Sequence, residues 1–291
     1  MEIINGYELT TDLSADNSGF GRWGFARKDG LDVFIKEFLS PVYPLDPDLF
    51  PTAEMDSRIA ACNRFVYQKQ KLYGALNRCG GGNIIGVLDF FRWGSKFYIV
   101  TEKVNAEALS MEDVFRYFPQ SQKFLLAKVL CDSIGELHRQ NIVHADLKPG
   151  NILLKKTSTG YFTAKIIDFD SSFLQGEPLV DDELEGDPVY LAPEMFLAMS
   201  GKKTELTEKV DVFSLGVLFY QIFFGRIPAF CAWDQGYAFE AVLNGKELSF
   251  PAGADSHLKK IIGSMLLQNP KKRPDLKKVQ SSLDKLLKKI G

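Results

Sequence analysis

Over the first hundred residues, short runs of apolar and β-branched residues alternate with polar positions. Residues 7–13, 22–27, 31–39, 84–91 and 97–103 each carry the pattern of a half-buried strand. Lys28-Asp29-Gly30 between the second and third runs reads as a hairpin turn, with glycine supplying a positive φ. A five-stranded antiparallel sheet is the expectation. It is interrupted by a proline-punctuated connection, residues 40–51, and then by a helical stretch to about Arg78 in which Ile59, Phe65, Leu72 and Leu76 recur at helical spacing.

After Lys103 the period changes. Ser110 and Asp113 form a capping-box pattern ahead of a short helix, and a longer helix is expected from about Ser121 to Gln140. Short strands at 152–155 and 164–167 intervene, and helices resume near Leu191, Lys209, Tyr237, Leu258 and Leu276. The expected fold class is α+β: a small antiparallel β-rich lobe with one main helix, residues 1–103, and a larger, mostly helical lobe, residues 104–291. A cleft between such lobes is where a small ligand sits.

Composition narrows the function. Of 291 residues, 45% are hydrophobic and 25% charged, with a formal net charge of −2. The chain is therefore globular, and no global basic field draws it to nucleic acid or an anionic membrane. The longest near-continuous apolar stretch, 212–224, is too short to span a bilayer, and the first residues lack a basic start followed by an apolar run. Cys62, Cys79, Cys131 and Cys231 lack the spacing of a metal site and read as reduced core thiols. A cytoplasmic chain, or the cytosolic part of a larger one, is expected.

The densest chemistry lies in His144-Ala145-Asp146-Leu147-Lys148-Pro149-Gly150-Asn151, followed by Asp168-Phe169-Asp170 and by Ala192-Pro193-Glu194. Phosphoryl transfer needs a divalent metal on the phosphates, a cation to neutralise charge, and a carboxylate to orient the incoming hydroxyl. Asp146 can accept the hydroxyl proton and Lys148 can neutralise the moving phosphoryl group. Asn151 and Asp168 offer the oxygen ligands that magnesium prefers. Lys36, in Val33-Phe34-Ile35-Lys36, can reach the non-transferred phosphates.

These segments, in this order, resemble the eukaryotic-type protein kinase family over residues 7–287. The resemblance implies that Thr101 is the gatekeeper, that Glu102 to Val104 form the hinge that binds adenine, and that Leu153 lies beneath the base. It implies that the helix opening with Asp211 anchors the catalytic loop and that Arg273 pairs with Glu194. Lys148, two places after Asp146, resembles the serine/threonine class. The implied activity is transfer of the γ-phosphoryl group of ATP, with Mg, to a hydroxyl of a protein substrate. The alternative is a pseudokinase acting as a nucleotide-binding or scaffolding module.

Several positions depart from the family pattern. Gly19, Gly21 and Gly24 satisfy G-x-G-x-x-G, yet alignment back from Lys36 places Asp16, Ser18 and Gly21 there instead. Phe34 stands where the family has a small residue against adenine. The helix carboxylate that pairs with the strand lysine is missing near Gln68, Lys69 and Gln70, which leaves Glu54, a glutamine, or Asp168 alone to hold Lys36. Ala145 replaces the arginine before the catalytic aspartate, making the chain an atypical, non-RD member. Asp170 replaces a glycine, and Asp187, which replaces a threonine, is available to pair with Lys148. Between Asp168 and Glu194 the hydroxyls are Ser171, Ser172 and Tyr190. Activity independent of phosphorylation in this segment is therefore expected. Its acidic middle either selects basic substrates or is a solvated loop, and the 41–51 connection is either a docking surface or a tolerated insertion.

Overall fold

A computed structural model describes residues 2–15, 21–46, 50–104, 110–158, 160–177, 184, 186–233 and 236–290. The chain divides into two compact units, Met1–Arg78 with Ile85–Asn105, and Cys79–Ile84 with Ala106–Gly291.

The first unit is built on six strands: β1 (Ile3–Ile4), β2 (Tyr7–Leu9), β3 (Gly21–Lys28), β4 (Leu31–Phe38), β5 (Val87–Trp93) and β6 (Lys96–Glu102). Their order is β1-β2-β3-β4-β6-β5, antiparallel throughout. The sheet thus has one more strand than expected, because two residues at Ile3–Ile4 are too few to show an alternation. Lys28 pairs with Leu31, and Asp29 and Gly30 between them have φ of 51° and 79°. That is the two-residue hairpin whose turn matches the twist of the strands.

The strand expected at 84–91 starts later, at Val87. Ile84 belongs to the second unit and bridges Ile166 there. The start of β5 is set by the Asn77 amide, which donates to the Val87 carbonyl and accepts from its N–H, both at 2.9 Å.

One face of the sheet carries a cluster that includes Tyr7, Ala26, Val33, Ile35, Tyr98 and Val100. On the other face lies helix α1 (Thr52–Leu76), where Phe65 and Tyr73 meet Phe38, Phe90 and Phe97 with ring centroids 5.2 to 6.0 Å apart. Each such ring removed from water stabilises the unit by about 1.5–3 kcal/mol. The 41–51 connection is tied to this unit at its start. The Tyr43 N–H donates to the Ser95 carbonyl at 2.8 Å, and the Arg92 guanidinium lies 4.2 Å from the Tyr43 ring centre.

The second unit contains α2 (Met111–Tyr117), α3 (Gln120–Arg139), β7 (Ile142–Val143), β8 (Ile152–Lys156), β9 (Phe162–Ile166) and β10 (Phe173–Leu174). These are followed by α4 (Pro193–Met199), α5 (Lys209–Phe224), β11 (Ala229–Phe230), α6 (Ala238–Leu243), β12 (Leu248–Ser249), α7 (Ser256–Met265) and α8 (Leu276–Ile290). The strands form three two-stranded ladders, β7 with β10, β8 with β9 and β11 with β12. The expected capping box opens α2: the Ser110 N–H donates to Asp113 Oδ2 at 2.9 Å, and the Asp113 N–H donates to Ser110 Oγ at 3.3 Å.

Helix α5 is apolar almost all round and is buried from Val210 to Phe223, so it forms the axis of this unit. The lysine-rich end of the chain is an amphipathic helix, α8, that buries Leu276, Val279, Leu283 and Leu286. No helix among the described residues is long and apolar enough to cross a membrane. The expectation of four core thiols needs correction: Cys62 and Cys131 are buried, Cys79 is half-buried, and Cys231 is exposed in the turn that follows β11.

Candidate catalytic site

The segment after β7 is shaped by a buried carboxylate on α5. Asp211, fully buried, accepts the His144 N–H on Oδ2 and the Ala145 N–H on Oδ1, both at 2.9 Å, and lies 2.9 Å from His138 Nε2. Ala145 has φ of 68°. A left-handed conformation costs a residue with a Cβ about 1–2 kcal/mol, and the two charge-assisted bonds to Asp211 offset it. His144 is also fully buried. Its Nδ1 accepts the Asp146 N–H at 3.3 Å and its Nε2 lies 3.2 Å from the Ile167 carbonyl, so the two contacts together require the ring proton on Nε2. Ser172 Oγ donates to the His144 carbonyl at 2.9 Å.

This frame presents Asp146. Its Oδ2 lies 2.7 Å from Lys148 Nζ and accepts Asn151 Nδ2–H at 3.0 Å, while its Oδ1 accepts the Asp187 N–H at 3.2 Å. Asn151, in the single helical turn Pro149–Asn151, also donates to the Asp146 carbonyl at 2.7 Å. The structure therefore gathers Asp146, Lys148 and Asn151 into one cluster. Lys148 pairs with Asp146 rather than with Asp187, whose Oδ1 instead accepts the Val189 N–H at 2.9 Å. What Asp187 gives to Asp146 is its backbone.

Asp168 follows β9 with φ of 62°, and its Oδ1 accepts the Asp170 N–H at 3.4 Å. The left-handed residue of this turn is Asp168 itself and not Asp170, the residue that replaces a glycine. Asn151 commits its Nδ2 to Asp146, and its amide oxygen, like the Asp168 carboxylate, is a hard oxygen donor. No group of three or more His, Cys, Asp and Glu side chains suited to a metal occurs among the described residues. That donor set fits magnesium, which is commonly held by one or two protein oxygens together with substrate phosphates.

In the first unit, Lys36 on β4 is 6% exposed. Its stem lies against Gly21 on β3, where an added Cβ would come within 2.9 Å of Lys36 Cε. A Cβ there would also come within 2.8 Å of the Glu37 carbonyl oxygen, so backbone and lysine stem together leave room only for glycine. Gly24 sits inside β3 opposite Ile35, packed on Thr11, Asp12 and Leu13. Gly24 thus lies within a strand, and Gly19, Asp16 and Ser18 lie outside the described residues. Thr101 and Glu102 end β6 opposite Phe34 and Val33, with Thr101 buried, Glu102 exposed and Val104 half-buried just beyond. Leu153, half-buried, lies on β8 in the second unit opposite Lys165.

The strand register fixes which side chains share the Lys36 face of the sheet. Trp23, Phe25, Phe34 and Lys36 share one face, with the Phe34 ring 5.6 Å from that of Trp23 and 6.2 Å from that of Phe25. Ala26 faces the opposite core. Among the helix candidates, Glu54 is taken by Arg58 at 2.9 Å near the start of α1. Of Gln68, Lys69 and Gln70, the buried side chain facing the sheet is Lys69.

Farther along the second unit, Arg273 and Glu194 meet as the resemblance implied. The guanidinium donates to both carboxylate oxygens at 2.6 and 2.8 Å, and also to the Leu267 and Lys209 carbonyls, each at 2.8 Å. A cavity of about 750 Å³ opens beside this pair, lined in part by Lys209 and Lys271, and none of Asp146, Lys148, Asn151 and Asp168 borders it.

Residues 68–283 match the model of the protein kinase domain. The chain belongs to the protein kinase family. Similar proteins include Myosin light chain kinase A of Dictyostelium discoideum, 32% identical over 203 residues, which are 68% of this chain and 66% of that one. MAP kinase-interacting serine/threonine-protein kinase 2 of Xenopus laevis is 30% identical over 226 residues, covering 68% of this chain and 48% of the relative. Putative serine/threonine-protein kinase A of Trypanosoma brucei brucei is 28% identical over 283 residues, 93% of this chain and 62% of the relative. The kinase chain thus spans about half to two-thirds of the length of these three relatives.

The family match begins inside α1, so it covers Asp146, Lys148, Asn151 and Asp168 but neither Lys36 nor the glycines. One feature of this kinase domain escaped the sequence reading: His138, in the last turn of α3, joins Asp211, a link that only the packing of α3 on α5 creates.

Proposed function

We propose that this chain is a serine/threonine protein kinase that transfers the γ-phosphoryl group of Mg-ATP to a protein hydroxyl, as one domain whose two lobes are residues 1–103 and 104–291. The observation that carries this is Asp146, held on one oxygen by a backbone N–H and on the other by Lys148 and Asn151. A carboxylate fixed in this way can orient an incoming hydroxyl and take its proton. Lys148, one-third exposed, neutralises charge on the transferred group, and Lys36 binds the α and β phosphates. Asn151 and Asp168 hold magnesium, which when bound neutralises phosphate charge. Thr101, Glu102 and Val104 with Leu153 hold the adenine, and Gly21 admits the Lys36 stem.

Control without loop phosphorylation belongs to the same reading. Of the three hydroxyls between Asp168 and Glu194, Ser172 is buried on the His144 carbonyl and Tyr190 is buried on Gln221 at 2.8 Å. The acidic middle of this segment favours a basic substrate. A second reading, a nucleotide-binding module without turnover, draws on Lys69 facing the sheet and on the Phe34 ring stacked against Trp23. Transfer of terminal phosphate label from ATP to the chain and to a basic test protein separates the two. Label that needs magnesium and is lost in Asp168→Ala supports the kinase, and absence of label from a folded, ATP-binding wild type supports the module.

A further inference from the structure

Lysine pairs recur along the second unit, at 155–156, 202–203, 259–260, 271–272, 277–278 and 288–289. A kinase that favours basic substrates therefore carries candidate substrates in its own chain. To be modified, a hydroxyl must leave its own fold and enter a catalytic site, so a helical position or a committed bond works against it. Among the hydroxyls that follow a lysine pair within four residues, Ser281 and Ser282 lie inside α8 and donate to the Lys277 and Lys278 carbonyls at 2.9 and 2.8 Å. Ser264 lies inside α7 and donates to the Ile261 carbonyl at 2.7 Å, and Thr204 and Thr207 are half-buried.

Ser158 is placed differently. It follows Lys156 by two residues, and Lys155, Lys156 and Ser158 are all exposed. Its hairpin is held by the β8 and β9 ladder, paired from Ile152 with Ile166 to Lys156 with Phe162. Beyond the ladder the Thr157 N–H and Oγ1 both donate to the Tyr161 carbonyl, at 2.7 and 2.9 Å, and the Gly160 N–H donates to the Thr157 carbonyl at 3.0 Å. The base of the turn is thus fixed on both strands, and Ser158 stands at its tip, where it is offered without unwinding a helix.

The same hairpin starts at the catalytic cluster, since Ile152 follows Asn151, whose amide binds Asp146. At about 3.3 Å per residue, the five residues of β8 carry the turn about 15–20 Å away. Ser158 therefore cannot reach the Asp146 of its own chain. Its modification needs a second copy.

We propose that Ser158 is a phosphorylation site of this chain, modified in trans by a second copy that recognises Lys155 and Lys156. The proposal rests on the kinase reading above. Ser158 Oγ bonds to the γ-phosphorus of ATP as the bond from that phosphorus to the β,γ-bridging oxygen breaks; ADP leaves with the electron pair, and the hydroxyl proton passes to Asp146 of the second copy. The phosphoserine brings a charge of about −1.5 to −2 at neutral pH beside the two lysines. It cancels the charge by which the turn is recognised, so the modified copy is released and the reaction limits itself.

The test mixes wild type and Mg-ATP with an isotopically labelled Asp146→Asn copy and locates phosphate on the labelled copy by peptide mass spectrometry, with a basic test protein run in parallel. Phosphate is expected on Ser158 of the labelled copy, at a rate proportional to the wild-type concentration. Changing Lys155 and Lys156 of that copy to Ala should slow the modification about threefold to tenfold, the scale of one or two exposed ion pairs. Wild type carrying Ser158→Ala should modify the test protein as fast as before. Transfer to the test protein with Ser158 left unmodified overturns the proposal and leaves the kinase reading intact, and so does modification that ignores the loss of both lysines. Absence of transfer to either protein removes both.

Discussion

Arg273 meets Glu194 through two parallel N–H···O bonds of 2.6 and 2.8 Å, with both side chains nearly excluded from solvent. The remaining guanidinium donors end on backbone carbonyls, and the Phe213 ring lies 5.0 Å away, so the charge is compensated on every side. Removing one partner strands the other in the interior. Arg273→Met is expected to destabilise the second unit by about 3–5 kcal/mol, with the double change to Met at both positions costing distinctly less. Urea denaturation of the two variants measures this. Equal losses would show that packing rather than charge is at stake.

Asp211 carries the conformation of the catalytic segment. Asp211→Ala leaves the His144 and Ala145 N–H groups buried without acceptors and is expected to cost about 3 kcal/mol or more, with loss of phosphoryl transfer. Ala145→Gly goes the other way. At φ of 68° glycine avoids the Cβ strain, and a gain of about 0.5–1 kcal/mol is expected after its larger unfolded-state entropy is counted. A loss of stability in Ala145→Gly would contradict the strain argument.

Much of this fold is visible in the chain because its signals are local. The hairpin at Asp29-Gly30, the Ser110 capping box and the amphipathic α8 are each specified within a few neighbouring residues. What stayed hidden depends on partners distant in sequence. Ile84 looks like the start of a strand, but its pairing is with Ile166. The packing of residues 11–13 on Gly24 likewise cannot be read from its neighbours in sequence. The cluster of Asp146, Lys148 and Asn151 was legible from spacing, whereas the use of the Asp187 backbone on Asp146 was not, since any residue type carries an N–H.

Loop hydroxyls are not expected to switch activity. Burial and the Asp187 charge push the Tyr190 phenol up to about 12, and Ser172 is enclosed against His144. Ser171→Ala is expected to leave kcat/KM within about twofold, less than the loss of one ordinary hydrogen bond. A phosphosite in this segment whose alanine variant abolishes transfer would contradict the expectation.

The buried thiols set an alkaline limit. Burial pushes the Cys131 and Cys62 thiols up, so the folded chain keeps protons that the unfolded chain releases above about pH 8.5. The native state then binds more protons, and stability falls as pH rises above the unfolded thiol range, by up to about 1.4 kcal/mol per pH unit for Cys131. Urea midpoints at rising pH should show this slope, flattened in Cys131→Ala. With a thiol reagent at neutral pH, exposed Cys231 should react first and Cys131 last. Fast modification of Cys131 in the native state would contradict its burial.

The most direct test of the central claim is the steady-state rate of phosphate transfer from Mg-ATP to a basic protein substrate by wild type and Asp146→Asn. Loss of the general base should lower kcat by about 10²-fold or more with KM for ATP nearly unchanged, because Asp146 acts on the hydroxyl and not on the nucleotide. Equal rates in the two proteins, or a folded wild type that binds ATP without any turnover, would contradict it.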